Sequence, residues 1–454
     1  MEPAVEAGLN SISAESLSHI FSFLSPADLA AAACTHSAWR LAVGQEEGLW
    51  GALCESRFSL TSPTSPEGTP LPGFKAAFGA WHSAFGRYGQ LAARALRAWR
   101  LIETWTGEHF PPVAASLRPG ASEALLDAVE AELGVKLCPA LRVLYRVHDG
   151  QELEFDRQVD KQRTAMHESV FHGMFGGYAF YNHMVSTRML PLRRLVRWTR
   201  TAHTQLGFPA GDQRVLIAAS HNFGKMIYCS ASDGMVRVAS VDKSTCLDAV
   251  PAGDGACDGV LRWFEAYAEA LSAGRFAVEA LELEYAESRS ISLFPQLQPW
   301  CSQAVTEGVR VEGCPLFIPE LTQASDPEPS YFFAYSIRFS LLPEQEQQRL
   351  MGTLAGPRDG VPLPSVQLRS RHWVIRDGSG AVESEVRGEA VVGMYPLLIA
   401  GEPRFAYQSC THQKAASGSM EGNFKFVEGS LSQPGREFDV SCARFNLVVP
   451  DVVF

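Results

Sequence analysis

The spacing of apolar residues changes along this chain, and that change limits the folds open to it. Near the amino terminus, four large apolar side chains recur at i, i+3, i+4 and i+7, the spacing of one helix face: Leu17, Ile20, Phe21 and Leu24. Over Tyr331–Phe339, large side chains alternate with small or polar ones, as in a strand with one buried face. The 454 residues are also too many for one core, and predict about three domains. The sequence therefore predicts a multidomain α+β protein.

Local composition marks the predicted boundaries. Residues 60–73 read LTSPTSPEGTPLPG, which predicts a flexible surface loop in which Ser62 and Ser65, each before a proline, are candidates for phosphorylation. Pro295 and Pro299 interrupt regular structure at a second junction. We predict a helical module over 9–58, a loop and helical connector over 59–120, a mixed α/β domain over 121–280, a linker over 281–301 and a β domain over 302–454.

Charge and cysteine usage narrow the function classes. A net charge of -11 argues against general affinity for nucleic acid or an anionic membrane. The start MEPAVEAGLN has two acids and no base, unlike a secretory or mitochondrial presequence. The ten cysteines are scattered without a Cys-x-x-Cys pair, and His167, His172 and His183 match no zinc spacing. We expect a cytoplasmic and/or nuclear protein with reduced thiols, no metal and no cofactor.

The middle of the chain has mixed patterning. Residues 122–150 predict two helices broken by Gly134 and Pro139, and a further amphipathic helix is predicted over Val260–Ala273. Between these segments the apolar runs predict three strands: Val215–Ala219, Lys225–Cys229 and Val236–Val241.

The amino-terminal helices carry clear start signals. Ser13 is placed to cap the first helix, and Ser25, Pro26 and Asp28 form an N-cap, first-turn proline and capping box for the second. About 50 residues cannot bury all the apolar groups present here. Some of this surface must meet either the helices of residues 74–106 or another protein, and periodicity alone leaves both open.

Residues 9–58 resemble an F-box in several separate features. These are the LSHIFSFLSPADL core, the small-residue helix with Cys34, Trp39-Arg40 and the ending Gly48-Leu49-Trp50, although Ile12-Ser13 stands where many F-boxes have Leu-Pro. The resemblance implies a three-helix module that binds a Skp-type adaptor and, through it, a cullin. By position it implies four adaptor contacts, Leu17, Ile20, Pro26 and Leu29, and four core residues, Phe21, Leu24, Trp39 and Trp50.

Two further resemblances cover the rest of the chain. The helix, Leu137-Cys138-Pro139 turn, helix and Asp149-Gly150 ending resemble the SUKH superfamily, with Asp149 in place of the commoner Asn. Residues 302–454 resemble an ApaG domain in VTEGVRVEG from Val305, PLFIPE from Pro315 and the segment 370–427. The first implies an α/β protein-binding module, and the second implies an immunoglobulin- or fibronectin-like β-sandwich of about seven strands.

The ApaG resemblance leaves open whether one glycine-rich turn binds phosphate or is a structural bend. Its glycine-rich motif reads Gly388-Glu389-Ala390-Val391-Val392-Gly393 here, so that Gly388 and Gly393 are candidate phosphate-binding residues for a nucleotide or pyrophosphate. A phosphate cradle usually leads into a helix, whereas Met394-Tyr395-Pro396 follow here, which favours a structural bend. We find no catalytic set of residues in the sequence.

The order of modules resembles F-box proteins with SUKH and ApaG domains. It implies a non-catalytic substrate receptor of a Skp–cullin–F-box ubiquitin ligase, which binds its unknown target protein through the SUKH domain, the ApaG domain or both. It implies no nucleic-acid or membrane partner.

Overall fold

The computed structural model describes residues 12–152, 168–209, 211–239, 246–253, 257–282 and 285–454. The chain forms two compact units, residues 1–100 and 101–454. The predicted mixed domain and β domain thus belong to one unit. None of the helices in the described ranges is long and apolar enough to cross a membrane.

The first unit is helical. Residues 12–58 contain four helices where three were predicted, because His36 is extended and separates the second from the third. The helices that lie in this unit or begin in it are α1 (Ala14–Phe21), α2 (Pro26–Thr35), α3 (Ser37–Gln45), α4 (Glu47–Phe58), α5 (Phe74–Phe85) and α6 (Gln90–His109).

The Pro/Ser/Thr-rich segment is a loop, as predicted, and several hydrogen bonds tie it down. Thr64 forms a β-bridge to Pro70, and the indole Nε1 of Trp81 donates a 2.8 Å hydrogen bond to the Thr64 carbonyl. The Ser65 side chain is buried and its hydroxyl donates to the Glu67 carboxylate at 2.8 Å. The same oxygen accepts from the amides of Glu67 and Thr69. Ser62 is exposed.

Replacing Ser65 by alanine is expected to lower the free energy of unfolding by about 1 kcal/mol, since two loop amides would lose their acceptor. The matched variant Ser62→Ala, at the exposed Ser-Pro site of the same loop, should change it by less than about 0.5 kcal/mol. Urea denaturation of both variants checks this, and equal stabilities would contradict the assigned role of Ser65.

The first half of the second unit combines helices with an eight-stranded sheet. Its strand order is β6-β5-β4-β3-β2-β1-β8-β7, in which β1 and β8 are parallel and the other neighbours antiparallel. The helices are α7 (Pro111–Ser116), α8 (Glu123–Leu133), α9 (Pro139–Val147), α10 (Leu192–Leu206) and α11 (Gly259–Ser272). The strands are β1 (Gly177–Phe180), β2 (His183–Met189), β3 (Arg214–Ser220), β4 (Met226–Ser230), β5 (Val236–Ala239), β6 (Cys246–Asp248), β7 (Ala277–Glu282) and β8 (Tyr285–Ser292).

Several predictions for this region are confirmed. α8 ends at Gly134, whose φ of +74° suits a residue without a side chain, and α9 begins at Pro139. The three predicted strands correspond to β3, β4 and β5, and the predicted last helix corresponds to α11. Residues 240 and 241, at the end of the third predicted strand, lie outside the described residues.

The predicted linker over 281–301 is wrong for residues 285–292, which form β8. The prolines that suggested a linker, Pro295 and Pro299, follow this strand. Ser288 and Ser290 are buried in β8 beside the buried Ile291. Small polar residues buried in a sheet carry no apolar alternation, so periodicity did not reveal the strand.

The rest of the second unit is a β-sandwich of nine strands, all in described residues, where about seven were predicted. One sheet has the order β15-β11-β10-β9, and the other has the order β13-β12-β16-β17 with β14 beside β12. A six-residue helix α12 (Glu344–Arg349) follows β11. The strands are β9 (Ser302–Thr306), β10 (Val309–Phe317), β11 (Tyr331–Leu341), β12 (Ser365–Asp377), β13 (Val382–Glu389), β14 (Leu397–Ile399), β15 (Phe405–Gln413), β16 (Ser417–Ser430) and β17 (Gln433–Val448).

Aromatic residues fill the space between the two sheets. Phe339 of β11 meets Phe424 of β16 edge-to-face, with ring centroids 4.7 Å apart. Trp373 of β12 lies 5.1 Å from the same phenylalanine. All three side chains are buried, so that they form the centre of the sandwich core.

Strand β11 is buried on both faces, whereas its alternation predicted only one. Arg338, on the face expected to meet solvent, is 1% exposed. Its guanidinium donates to the Pro295 carbonyl at 2.9 Å and lies 3.4 Å from the Glu279 carboxylate of β7. This face of the sandwich therefore packs against the strand-rich half of the same unit, which explains why the two form one compact unit.

Candidate functional site

The predicted capping signals position the first two helices. The Ser13 hydroxyl accepts the Ser16 amide at 3.2 Å at the start of α1. The Ser25 hydroxyl accepts the Asp28 amide at 3.2 Å and donates to the Asp28 carboxylate at 2.6 Å, with Pro26 as the first residue of α2. Both N-cap predictions are confirmed, and they fix where each helix begins.

Two of the four residues predicted for the core of this helical module are buried, and the other two are half-buried. Phe21 and Trp50 are buried, while Leu24 and Trp39 are half-buried. The Phe21 and Trp39 rings meet edge-to-face at 6.1 Å, and the Trp50 indole donates to the Val43 carbonyl at 2.7 Å.

The four predicted adaptor contacts differ in exposure. Ile20 is 47% exposed and Pro26 is half-buried, so both remain candidates. Leu17 and Leu29 are buried within the chain because they lie on the inward side of their helices. We therefore reassign these two leucines to the module core.

Three large apolar side chains of the module are individually exposed, and we call them the exposed apolar group: Ile20, Phe23 and Leu41. Phe23 is 76% exposed and Leu41 is 64% exposed, and the sequence analysis singled out neither. Phe23 lies in the turn after α1, off the i, i+3, i+4, i+7 pattern, whereas Ile20 lies on that pattern and is also exposed. The pattern alone therefore did not separate exposed from buried side chains. Helix α5 covers another part of the module, where Phe78 meets Trp50 and Phe58 at 5.2 and 5.5 Å, and it leaves the exposed apolar group uncovered. Adaptor binding by this group stays a prediction.

The glycine-rich turn of the sandwich uses its amides internally. The amides of Val391 and Met394 donate to each other's carbonyls at 2.9 and 2.8 Å, and the Ala390 amide donates to the Arg369 carbonyl at 3.0 Å. Val392 and Gly393 have φ of +43° and +81°, the signs of a tight hairpin turn.

The same turn explains the glycine pattern without a ligand. Ala390, at the motif's middle glycine position, has a left-handed φ of +59°, a conformation that favours glycine. A side chain at Gly388 would approach the Arg371 guanidinium, which already donates to the Glu389 and Ala390 carbonyls. The geometry favours the structural bend over a phosphate cradle at Gly388 and Gly393.

Comparison with known proteins identifies the family. The F-box-like family matches residues 14–56, and the ApaG domain family matches residues 321–428. F-box protein SKIP16 of Arabidopsis thaliana is 35% identical over 448 residues, which cover 96% of this chain and 97% of that protein. The chain belongs to this family of F-box proteins.

Two other relatives agree with the arrangement of this F-box protein. F-box only protein 3 of Rattus norvegicus is 28% identical, with 97% of this chain and 82% of that protein covered. Protein ApaG of Bradyrhizobium is 37% identical over 149 residues, which cover 33% of this chain and 94% of that protein. The first relative spans nearly the whole F-box protein, and the second corresponds to its sandwich alone.

A buried polar network joins the sandwich of this F-box protein to its eight-stranded sheet. Glu320, which ends the PLFIPE segment, accepts hydrogen bonds from the Tyr178 hydroxyl and from His183 Nε2, the latter at 2.8 Å. The ammonium of Lys225 donates to the Tyr178 hydroxyl at 3.3 Å and to the Phe454 main-chain oxygen. Glu320, Tyr178 and Lys225 are all buried.

The electrostatics of this network follow from burial and charge. Burial alone would raise the pKa of Glu320, but the Lys225 charge and the hydrogen bonds from His183 and Tyr178 hold it below its ordinary value. Burial lowers the pKa of Lys225, an effect that the Glu320 carboxylate opposes. Sequence reasoning missed this network because Tyr178 and His183 are more than 40 residues from Lys225 and more than 130 from Glu320 in the chain.

The described residues contain no group of three or more His, Cys, Asp or Glu side chains arranged to hold a metal ion. His183 is engaged with Glu320, and the His172 ring meets the Phe110 ring at 5.2 Å. His167 lies outside the described residues. The ten cysteines are free thiols.

Proposed function

We propose that this chain is the substrate-receptor subunit of a Skp–cullin–F-box ubiquitin ligase. Its helical module would bind a Skp-type adaptor, and through it a cullin, while the unit over 101–454 would bind the protein to be modified. The observation that carries the proposal is the exposed apolar group on α1, its following turn and α3, within the segment that matches the F-box-like family. Large apolar side chains exposed on a folded module are typical of protein-binding surfaces.

The middle region is assigned in this proposal to the SUKH superfamily as an α/β protein-binding domain. Its support is the geometry of the α8–turn–α9 segment and of the Asp149-Gly150 ending. The Asp149 carboxylate accepts the Leu192 amide at 2.7 Å at the start of α10 and pairs with Arg118 at 3.2 Å. Gly150 has a φ of +65° and lies against the backbone of Leu190, where a side chain would not fit.

The proposed subunit is non-catalytic. It would promote ubiquitin transfer by holding a target lysine near the charged conjugating enzyme, which makes the encounter effectively intramolecular. The proposal places it in the cytoplasm, the nucleus or both. For the alternative, a nucleotide- or pyrophosphate-binding ApaG domain, the internally bonded turn at 388–394 offers no support.

Co-expression with a Skp-type adaptor tests the proposed function. We expect the two proteins to co-purify and to elute as a one-to-one complex in size-exclusion chromatography, because the exposed apolar group needs a partner to leave water. Separate elution of the adaptor and a folded chain at micromolar concentrations would overturn the proposal.

A further inference from the structure

A partly open cavity of ≈ 300 Å³ lies within the second unit, between the end of the eight-stranded-sheet region and the sandwich. Its walls come from the segments 275–276, 293–302, 315–317 and 444–454, together with Phe333. Most of the wall is apolar, and Phe276, Phe317 and Phe445 are buried side chains that contribute to it. This volume is at the lower end of the range for ligand-binding pockets.

The floor of the cavity is held rigidly. The Trp263 indole donates to the Val453 carbonyl at 2.7 Å, and the Phe454 ring packs edge-to-face on Tyr267 at 5.2 Å. The Phe317 and Phe333 rings meet at 5.4 Å on the sandwich side. A cavity with such fixed walls is already shaped before anything binds, which lowers the entropic cost of binding.

One guanidinium in the wall has no ion-pair partner among the described residues. Arg275 lies against two aromatic rings, with its Cζ 5.1 Å from the centre of Trp300 and 5.3 Å from that of Phe276. Its Nε is buried without a hydrogen-bond partner, and no carboxylate in the described ranges pairs with the side chain. Burial lowers the pKa of this arginine. A cation desolvated in this way favours an anionic ligand.

The charge of the cavity wall is positive only. Its two charged side chains are Arg275 and Arg444, and no Asp or Glu side chain lines it. Phe454, the last residue of the sequence, also lines it, and its main-chain oxygen accepts from the Lys225 ammonium. Arg444 is already neutralised by Glu421, whose carboxylate oxygens lie 3.0 Å from its Nε and Nη2. One unpaired cation therefore remains for one negative charge, which suits a carboxylate better than a doubly charged phosphate.

The small size of the cavity restricts how a ligand can place both an apolar side chain and a negative charge inside it. In an extended peptide, neighbouring side chains point to opposite faces, so an internal acidic residue and its apolar neighbour cannot enter one cavity together. The last residue of a chain carries its carboxylate on the same Cα as its own side chain. We infer that this cavity binds the carboxyl-terminal residue of a protein chain, with an apolar side chain inside and the terminal carboxylate on Arg275.

This inference deepens the proposed function by naming a feature of the target protein. It rests on that function only in taking the bound chain to be a protein that the ligase modifies. Peptide binding is measured without the adaptor, so its failure would leave adaptor co-purification unaffected. The two proposals can thus fail independently.

Fluorescence anisotropy with labelled hexapeptides on the full chain tests the inference. The probes are Gly-Ser-Gly-Ser-Gly followed by Leu, Phe, Ser or Lys, each as the free acid and as the carboxyl-terminal amide. We expect the Leu and Phe acids to bind, and the Ser and Lys acids and every amide to bind at least tenfold more weakly, about 1.4 kcal/mol. An amidated probe with an internal Asp-Leu pair measures the contribution of internal acidic residues.

Three variants complete the test. Arg275→Met keeps an apolar stem against Trp300 and should weaken the Leu and Phe acids at least tenfold. Val448→Trp, at the 49% exposed rim residue, should block access, whereas Val382→Trp, at an equally exposed valine of β13 outside the cavity wall, should leave binding unchanged. Equal affinity of acid and amide, unchanged binding by Arg275→Met, stronger binding of the internal Asp-Leu probe, or no binding of any apolar-ended acid up to about 1 mM would each overturn the inference.

Discussion

Replacing Ile20 and Phe23 together by aspartate is expected to abolish co-purification with a Skp-type adaptor. The two side chains are 47% and 76% exposed, so the module does not need them for its own core. In a complex they would lose their water, and a carboxylate at either position would then be buried without a partner. We expect at least a 100-fold loss of affinity, about 2.7 kcal/mol, measured by size-exclusion chromatography and isothermal titration.

The control for this double variant is Leu354→Asp with Val361→Asp, two apolar residues of the second unit that are 88% and 64% exposed. It adds the same two charges to the surface and should leave adaptor binding unchanged. Helix content from circular dichroism should stay constant in both double variants. Full adaptor binding by the Ile20/Phe23 variant would show that the adaptor contacts another surface. Leu29→Asp cannot make this test, because Leu29 is buried and its substitution would unfold the module.

Replacing Glu320 by alanine is expected to cost about 3 kcal/mol in the free energy of unfolding of the second unit. The change leaves the Tyr178 hydroxyl and His183 without their acceptor, and it removes a negative charge that interacts favourably with the buried Lys225. Urea denaturation followed by tryptophan fluorescence measures the loss. Glu383→Ala, at an exposed glutamate of β13, is the matched control and should change stability by less than about 0.5 kcal/mol.

The pH dependence of stability separates the contribution of the Glu320 charge from that of its side-chain shape. The pKa of Glu320 is lowered in the folded chain, so its ionised form stabilises the fold above the ordinary glutamate pKa of about 4.3. That contribution is lost as pH falls through the lower, folded-state pKa. The variant Glu320→Gln should therefore show less loss of stability than the unmodified chain between neutral pH and pH values below about 4. Parallel pH profiles would contradict a charged Glu320.

The sequence was most informative where the structure is local. Helix starts at Ser13 and Ser25, the break at Gly134 and the strands of the mixed region all depend on neighbouring residues, and each was predicted. Capping and periodicity act over a few residues, so that one sequence suffices to recognise them. The apolar stripe of α1 likewise predicted that some apolar surface of the module must be covered. It did not show which side chains are exposed.

The errors arise where packing is between distant segments. Arg338 read as the exposed side of β11, yet it is buried against Pro295 and Glu279, about 40 and 60 residues away. Leu17 and Leu29 matched adaptor-contact positions of an F-box, but their side chains are buried in the chain's own module. A periodic pattern shows that a face is covered and does not show what covers it.

The shared interior of residues 101–454 bears on how the protein should be divided for laboratory work. A fragment beginning at residue 302 would keep Glu320 but lose Tyr178, His183 and Lys225, and with them the hydrogen bonds and the positive charge that stabilise its carboxylate. The complementary fragment would bare the Trp263 and Tyr267 rings that Phe454 covers, and newly bared aromatic surface promotes aggregation. Binding or stability measured on either fragment would therefore not represent the intact protein. Soluble expression is best sought with residues 101–454 kept as one piece.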